Sequence, residues 1–311
     1  MDDYLKVDAI TDIQKRLRRE QMLKRRKKAC VVLGLAFLLA GVFLFSSIGP
    51  LGFVFFPKST AILQEQPDVP DENQAVVTAK AGLLEKDSNP AAPTIAIVVD
   101  DTGSAPANLD KWLEVDAPLT FATMPFTQAT HELAETLYEA GYRIMMHIPT
   151  ENDSPNSFSA TGQLTVGMSR EIVFATLDDD LAQIPHVTGI NNHQGGKGCN
   201  DLSLMAFECE WAKGRGLFVV DSDSSTASKV SKAANGLGMP RRLNQLFIDH
   251  QNEPDYIRSI MRRLADIARR NGTAIGICHF HRPNTPTIVG EMVGVLKAEG
   301  IHFAFVEDIS N

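Results

Sequence analysis

From Thr94 to the end of the chain, short apolar runs alternate with longer segments of helical period. No other feature narrows the fold as much. The apolar runs are IAIVVD (95–100), LTFATM (119–124), YRIMMHI (142–148), VTGIN (187–191), GLFVVD (216–221), QLFID (245–249), TAIGICH (273–279) and HFAFVE (302–307). Between them lie THELAETLYEAG, SREIVFATLDDDLAQI, DLSLMAFECEWAKG and EPDYIRSIMRRLADIARRNG. In the last, Ile257, Ile260, Met261, Leu264, Ile267 and Ala268 recur at helical spacing, and Asn271-Gly272 supplies a stop. Strands separated by helices pair in parallel, because a crossover of that length returns the chain to the same end of the sheet. The pattern predicts an α/β fold, a distorted or incomplete (β/α) barrel of parallel strands. An open doubly wound sheet is the alternative. No Gly-x-Gly-x-x-Gly follows the first run, which argues against dinucleotide binding.

In such folds reactive groups collect at the carboxyl ends of the strands. Here those ends carry Asp100 and Asp101, His147, then Asn191, Asn192 and His193. They continue with Asp221 and Asp223, Asp249 and His250, and His279 and His281. One such residue alone reads as a helix cap, a turn former or a hydrogen-bonded histidine. So many metal-competent side chains on one rim do not read that way. Neutral imidazoles with one carboxylate suit a single divalent ion, Zn²⁺ foremost, with a position left open for water. A second carboxylate can take a proton from that water, and a histidine opposite can protonate a leaving group. This is the chemistry of metal-assisted hydrolysis of an amide or ester. It would also explain the adjacent, mutually repelling aspartates at the end of IAIVVDDTGS, whose repulsion a cation, a shared proton or open solvent must offset.

In their order along the chain these motifs resemble the polysaccharide deacetylases, specifically the divergent polysaccharide deacetylase family 2, from about Thr94 to the C-terminus. IVVDDTG resembles a first motif whose leading Asp is the catalytic base and whose second Asp binds metal, which implies Asp100 as base and Asp101 as ligand. GYRIMMHIPTE resembles a strand ending in His-x-x-x-His, which implies His147 as a ligand. The second His of that motif is Glu151 here. FVVDSD resembles the acidic fourth motif, and IGICHFH the last, whose His, here His279, is the catalytic acid. An Arg-Pro-Pro motif of the family is replaced by GINNHQGGKG, and His193 within it is the candidate third ligand by its place on the rim. Glu151, Asn192, Asp221, Asp223 and His281 are candidates for substrate contact or support of the ligands. Asp221 and Asp223 could equally cap the helix entered through SSTASK, and His281 could be a loop residue before Pro283. The resemblance implies an acetylated envelope carbohydrate as substrate.

The N-terminal third reads differently. Ala29 to Phe56 contains no charged residue and is long enough to cross a bilayer. The basic KRLRREQMLKRRKK (15–28) before it predicts a cytoplasmic N-terminus. We read residues 1–28 as a basic cytoplasmic segment, 29–56 as a single transmembrane helix and 57–93 as a flexible Pro- and acid-rich linker. Residues 94–311 are then an extracytoplasmic domain at a bacterial inner membrane. Ten of the 30 Lys/Arg but five of the 38 Asp/Glu fall within residues 1–56, so the remainder holds 20 bases against 33 acids, a net −13. That balance argues against nucleic acid as a partner. Cys199, Cys209 and Cys278 allow at most one intrachain bridge, and Cys199 could alternatively approach the metal. Trp112 and Trp211 fall in helical patterns and read as packing residues. Besides a deacetylase, the residues allow a non-catalytic envelope factor that binds a glycan or a protein partner through the same fold. A phosphatase of the Asp-x-Asp type is disfavoured by the adjacency of Asp100 and Asp101.

Overall fold

The computed structural model describes residues 92–154 and 160–311. Its elements run β1 (Thr94–Thr102), α1 (Leu109–Leu113), β2 (Leu119–Thr123), α2 (Thr130–Glu139) and β3 (Arg143–Thr150). They continue with α3 (Arg170–Leu181), β4 (Val187–Gln194), α4 (Leu202–Gly214), β5 (Phe218–Val219) and α5 (Val230–Gly236). The last are β6 (Leu246–Phe247), α6 (Pro254–Asn271), β7 (Thr273–His279), α7 (Thr285–Ala298) and β8 (His302–Ala304). Each apolar run quoted above contains a strand. The expected transmembrane helix, the basic segment before it and the linker up to residue 91 lie outside the described residues. Among the described residues, no helix is long and apolar enough to cross a membrane. The last linker residue, Pro93, is tied to the domain, its carbonyl accepting from His302 N at 2.9 Å.

All the pairings are parallel, in the order β5-β4-β3-β2-β1-β7-β6, with β8 alongside the start of β1. Between the outer strands β5 and β6, a bridge joins Asp221 to Leu243, with Asp221 N on Arg242 O at 2.8 Å and Asn244 N on Asp221 O at 2.9 Å. The sheet is thus a curled, incompletely closed barrel. At this seam β5 and β6 each keep only two residues of ladder within runs of six and five residues.

Side-chain alternation sorts the strand residues between two cores. Ile95, Ile97 and Val99 of β1, with Ile144, Met146 and Ile148 of β3, face the helices. Ala96, Val98, Met145, Ile275 and Ile277 fill the barrel interior, closed off by Val306 and Ile309 from the C-terminal segment. The helices start and stop where the sequence says they should. Ser169 Oγ accepts from Ile172 N, and Asp201 Oδ1 accepts from Leu204 N at 2.8 Å, filling donors that the first turn leaves open. Pro254 opens α6 and Gly272, at φ 87°, ends it. Both tryptophans are packing residues. Trp112 Nε1 donates to Phe280 O at 3.1 Å, and Trp211 Nε1 to Asp178 Oδ1 at 3.0 Å. The three cysteines are free and buried, so no bridge forms among the described residues.

One helical acid is out of place energetically. Asp180 of α3 is fully buried against Gly162, and neither carboxyl oxygen has a hydrogen-bond partner among the described residues. Burial, with Asp179 adding to it, pushes its pKa up to about 8. The folded state therefore keeps a proton that the unfolded chain releases near pH 4. The associated stability is complete below that pH and lost as the pH rises through 8. Asp180→Asn, neutral at every pH, is expected to stabilise the protein by on the order of 1–3 kcal/mol at pH 8. Thermal unfolding should show that gain at pH 8 and almost none at pH 4.

Candidate metal centre and active site

Alternation and register together assemble the site. On β1 the interior parity that places Ala96 and Val98 inside carries Asp100 to the mouth of the barrel. On β3 the same parity carries His147 there, on β4 Asn191 and His193, and on β7 His279. The ladders bring them side by side, pairing His147 with Asn191, Pro149 with His193, and Asp100 with His279. Alternation alone would send Asp101 to the other face. Instead, the β1–β2 register slips between Val99 and Thr102, and Asp101 takes a left-handed backbone at φ 62°. This bulge inserts one extra residue, so that both aspartates reach the same rim. A positive φ at a non-glycine residue is uncommon, and Asp is among the residues that tolerate it.

Asp101 Oδ1 stands 2.9 Å from His193 Nδ1 and 3.3 Å from His147 Nε2, and these two nitrogens are 3.2 Å apart. The three residues form one group whose ligand atoms lie within 4.8 Å of one another. A tetrahedral ion with N and O ligands at 2.0–2.2 Å puts neighbouring ligand atoms about 3.3 Å apart, close to this triangle. Asp101 Oδ1 is buried yet closes no hydrogen bond of good geometry.

Protonation follows from the neighbours. Asn191 Nδ2 donates to Asp100 Oδ1 at 2.8 Å and to Ser222 Oγ at 3.1 Å. An amide so oriented turns its oxygen to His147 Nδ1, 2.8 Å away, which must then carry the hydrogen. The lone pair of Nε2 is left facing Asp101 and His193. His147 Nε2, Asp101 Oδ1 and, in its Nε2–H tautomer, His193 Nδ1 then offer three electron pairs to one point, and a cation fits there. Without one, the cluster draws a proton. Burial lowers the pKa of His147, but Asp100 and Asp101 outweigh it and raise it to about 9. Burial pushes Asp101 up, and the imidazoles of His147, His193 and His281 pull it well below the usual carboxylate range.

The flanking groups differ in character. Asp100 is almost fully buried, and burial raises its pKa, with Asp101 adding to the rise against His147, His279 and the Asn191 amide. His279 Nδ1 donates to Asp249 Oδ1 at 2.7 Å, which leaves Nε2 free toward the mouth. Asp249 is fully buried, its other oxygen accepting from His279 N and Thr285 Oγ1, each at 2.9 Å. Burial lowers the pKa of His279, but the Asp249 hydrogen bond and nearby carboxylates raise it overall. His281 Nδ1 lies 3.4 Å from Asp101 Oδ2, so it borders the ligand carboxylate rather than orienting His279.

Four of the supporting residues expected from the sequence go elsewhere. Asn192 has the opposite parity and donates to Thr150 Oγ1 at 3.0 Å and Glu208 Oε2 at 2.9 Å, on the helix side of β4. Glu151 accepts from Lys197 Nζ at 2.7 Å and Val166 N at 2.8 Å and so clamps two loops. Asp221 accepts from Asp223 N, Ser228 Oγ, Ser231 N and Ser231 Oγ, all within 3.0 Å, which is a cap for the turn into α5. Asp223 belongs to that same turn, at φ 51°. Cys199 lies outside the ligand group, its thiol pushed up in pKa by burial. Sequence reasoning placed Asn191 and Asp249 on the rim without a role; hydrogen bonds to His147 and His279 give them one.

Were Asp101, His147 and His193 to hold a divalent ion, Asn191 would orient the His147 lone pair without binding the ion, so Asn191→Ala is expected to weaken divalent-metal binding by about 10- to 100-fold. Titration of the metal-free protein with Zn²⁺ against a competing chelator measures it. Unchanged affinity would remove Asn191 from this role.

The comparisons with known proteins follow the geometry. A family model described as divergent polysaccharide deacetylase matches residues 97–310. The uncharacterized protein YibQ of Escherichia coli K12 is 31% identical over 218 residues, covering 70% of this chain and 67% of its own. An uncharacterized protein of Haemophilus influenzae is 26% identical over 195 residues, covering 63% and 69%. The crystal structure of an uncharacterized protein from Agrobacterium tumefaciens C58 shares the fold, with a TM-score of 0.68 at 21% identity over 74% of this chain and 94% of that one. The family match runs from the middle of β1 almost to the last residue and takes in the whole strand-end cluster, and the chain belongs to the divergent polysaccharide deacetylase family.

Proposed function

We propose that this protein is a metal-dependent hydrolase that removes N- or O-acetyl groups from an envelope carbohydrate. The observation that carries the reading is the convergence of Asp101 Oδ1, His147 Nε2 and His193 Nδ1 at the strand ends where Asp100 and the His279–Asp249 pair also lie. Asp101, His147 and His193 would hold one divalent ion, Zn²⁺ by the chemistry of two imidazoles and a carboxylate. Bound there, the ion would polarise an acetyl carbonyl and acidify water.

The chain's own residues supply the proton transfers. Asp100, fixed by Asn191, accepts a proton from the attacking water as the new C–O bond forms. His279, its Nδ1 hydrogen committed to Asp249, gives the Nε2 proton to the departing sugar nitrogen or oxygen as the acetyl C–N or C–O bond breaks. The products are acetate and the free amine or hydroxyl. Burial makes Asp100 a stronger base than a solvated carboxylate, and the Asp249 hydrogen bond favours the protonated form of His279. Acetate release from acetylated oligosaccharides, run beside phosphate release from an aryl phosphate, tests the reaction class. Phosphate without acetate would overturn it.

The same proposal puts this domain outside the cytoplasm, tethered by residues 29–56 with the basic segment inside. A reporter enzyme fused after Asn311 is expected to be active only as an extracytoplasmic fusion. Activity in the cytoplasm alone would reverse the topology.

A further inference from the structure

A cleft of about 320 Å³ opens beside His193, between the turn after β2, the end of β3 with the segment beyond it, and the end of β4. Its apolar wall includes Pro125, Phe126 and Pro149, and its polar wall includes Thr127, Gln163 and Gln194. Among the described residues lining it there is no Asp, Glu, Lys or Arg. The domain is acidic overall, so a neutral lining beside the metal centre is a local property of this cleft.

Phe126 is the unusual member. It is 42% exposed and sits at φ 53°, a region bulky side chains rarely enter. The surrounding turn enforces that backbone. Thr130 Oγ1 accepts from Thr127 N at 2.9 Å and donates to Met124 O at 2.8 Å, and Met124 N donates to Thr102 O at 2.8 Å. Gly103, at φ 123°, has no Cβ to meet Thr127 Oγ1, which lets the turn close onto the loop that follows the aspartate pair. What sets Phe126 apart from the other exposed apolar side chains is its left-handed backbone in a cleft that His193 also lines.

We infer that this cleft is a binding subsite for a neutral pyranose ring of the substrate glycan, with the Phe126 ring as its stacking platform. The volume is at the small end of ligand clefts and suits one sugar ring. A pyranose presents an apolar C–H face to an aromatic ring and hydroxyl or acetamido groups at its edge. Phe126 with the two prolines meets the face, and Thr127, Gln163 and Gln194 meet the edge. His193 lines the cleft, so a ring seated there is the neighbour of the ring that carries the acetyl group. The inference rests on the carbohydrate reading above and adds to it a site that sets which glycan is accepted.

The test uses the full chain, metal-loaded, carrying Asp100→Asn so that binding is read without turnover. Binding of neutral acetylated oligosaccharides of hexosamine and of xylose is measured by calorimetry, with and without Phe126→Ala and Phe126→Tyr. The expected result is binding of at least one oligosaccharide, weakened roughly tenfold by Phe126→Ala and restored by Phe126→Tyr, with metal content unchanged. Affinity indifferent to Phe126→Ala, or no binding at all, overturns the subsite. Acetate release by the otherwise native chain, measured on the same sugars, separates this inference from the hydrolase reading. Binding that depends on Phe126 without acetate release keeps the subsite and removes the hydrolase. Acetate release with kcat/KM unchanged in Phe126→Ala does the reverse.

Discussion

Asp100→Asn is expected to keep its metal and to lose 10²- to 10⁴-fold in acetate release, the usual worth of a positioned general base. The substitution is nearly isosteric, and Asp100 makes none of the short contacts that join the three ligand atoms. Its Oδ2 stands 3.7 Å from His147 Nε2. An asparagine oxygen can still accept from Asn191 Nδ2, so the packing at this buried position survives. What disappears is the charge that takes the proton from water. Metal content and kcat measured on the same sample decide the matter. Loss of metal would make Asp100 a ligand, and retained activity would leave it a structural acid.

His147→Ala and Asp101→Asn are expected to have the opposite signature, an emptied site. Each removes or neutralises one of three protein ligands, and affinity should fall by more than the 10- to 100-fold that loss of a supporting hydrogen bond costs. The same atoms predict how metal binding depends on pH. His147 is raised to about 9 because Asp100 and Asp101, against its burial, attract a proton to the position a cation would take. Metal binding must displace that proton, so affinity should rise with pH up to about 9 and flatten above it. Metal titrations across that range, on the native protein and both variants, give the slope and the losses. A flat profile in the native protein would mean that His147 Nε2 is not a ligand.

Much of this was legible in the sequence because strands and parallel pairing obey short periods. The eight apolar runs pointed to a parallel sheet, either a distorted barrel or an open one, and the rule that function gathers at strand ends led to His147, His193 and His279. The failures have local causes. Asn191 and Asn192 are neighbours on one strand and therefore point to opposite faces. Only the β3–β4 register reveals that Asn191 is the one beside His147. Asp249 had to be paired with His279 across two strands that the sequence does not order, and Asp221 and Asp223 could equally be site residues or caps of the helix after SSTASK until the structure showed the cap. Glu151 stood at a motif position but is held by Lys197, a partner 46 residues away. The bulge at Asp101 has no signature in composition or period, although it is what brings two adjacent carboxylates to the same rim. Asp180 lies among acidic neighbours in LDDDL and is nonetheless buried.

The central claim is that the strand-end cluster is a hydrolytic metal centre. Acetate release from an acetylated oligosaccharide, followed through removal and return of metal on a single preparation, tests it most directly. The account predicts release by the loaded protein, its disappearance on chelation and its return with about one equivalent of Zn²⁺ per chain. Release that persists in the chelated, metal-free protein, or no release from a fully loaded one, would contradict it.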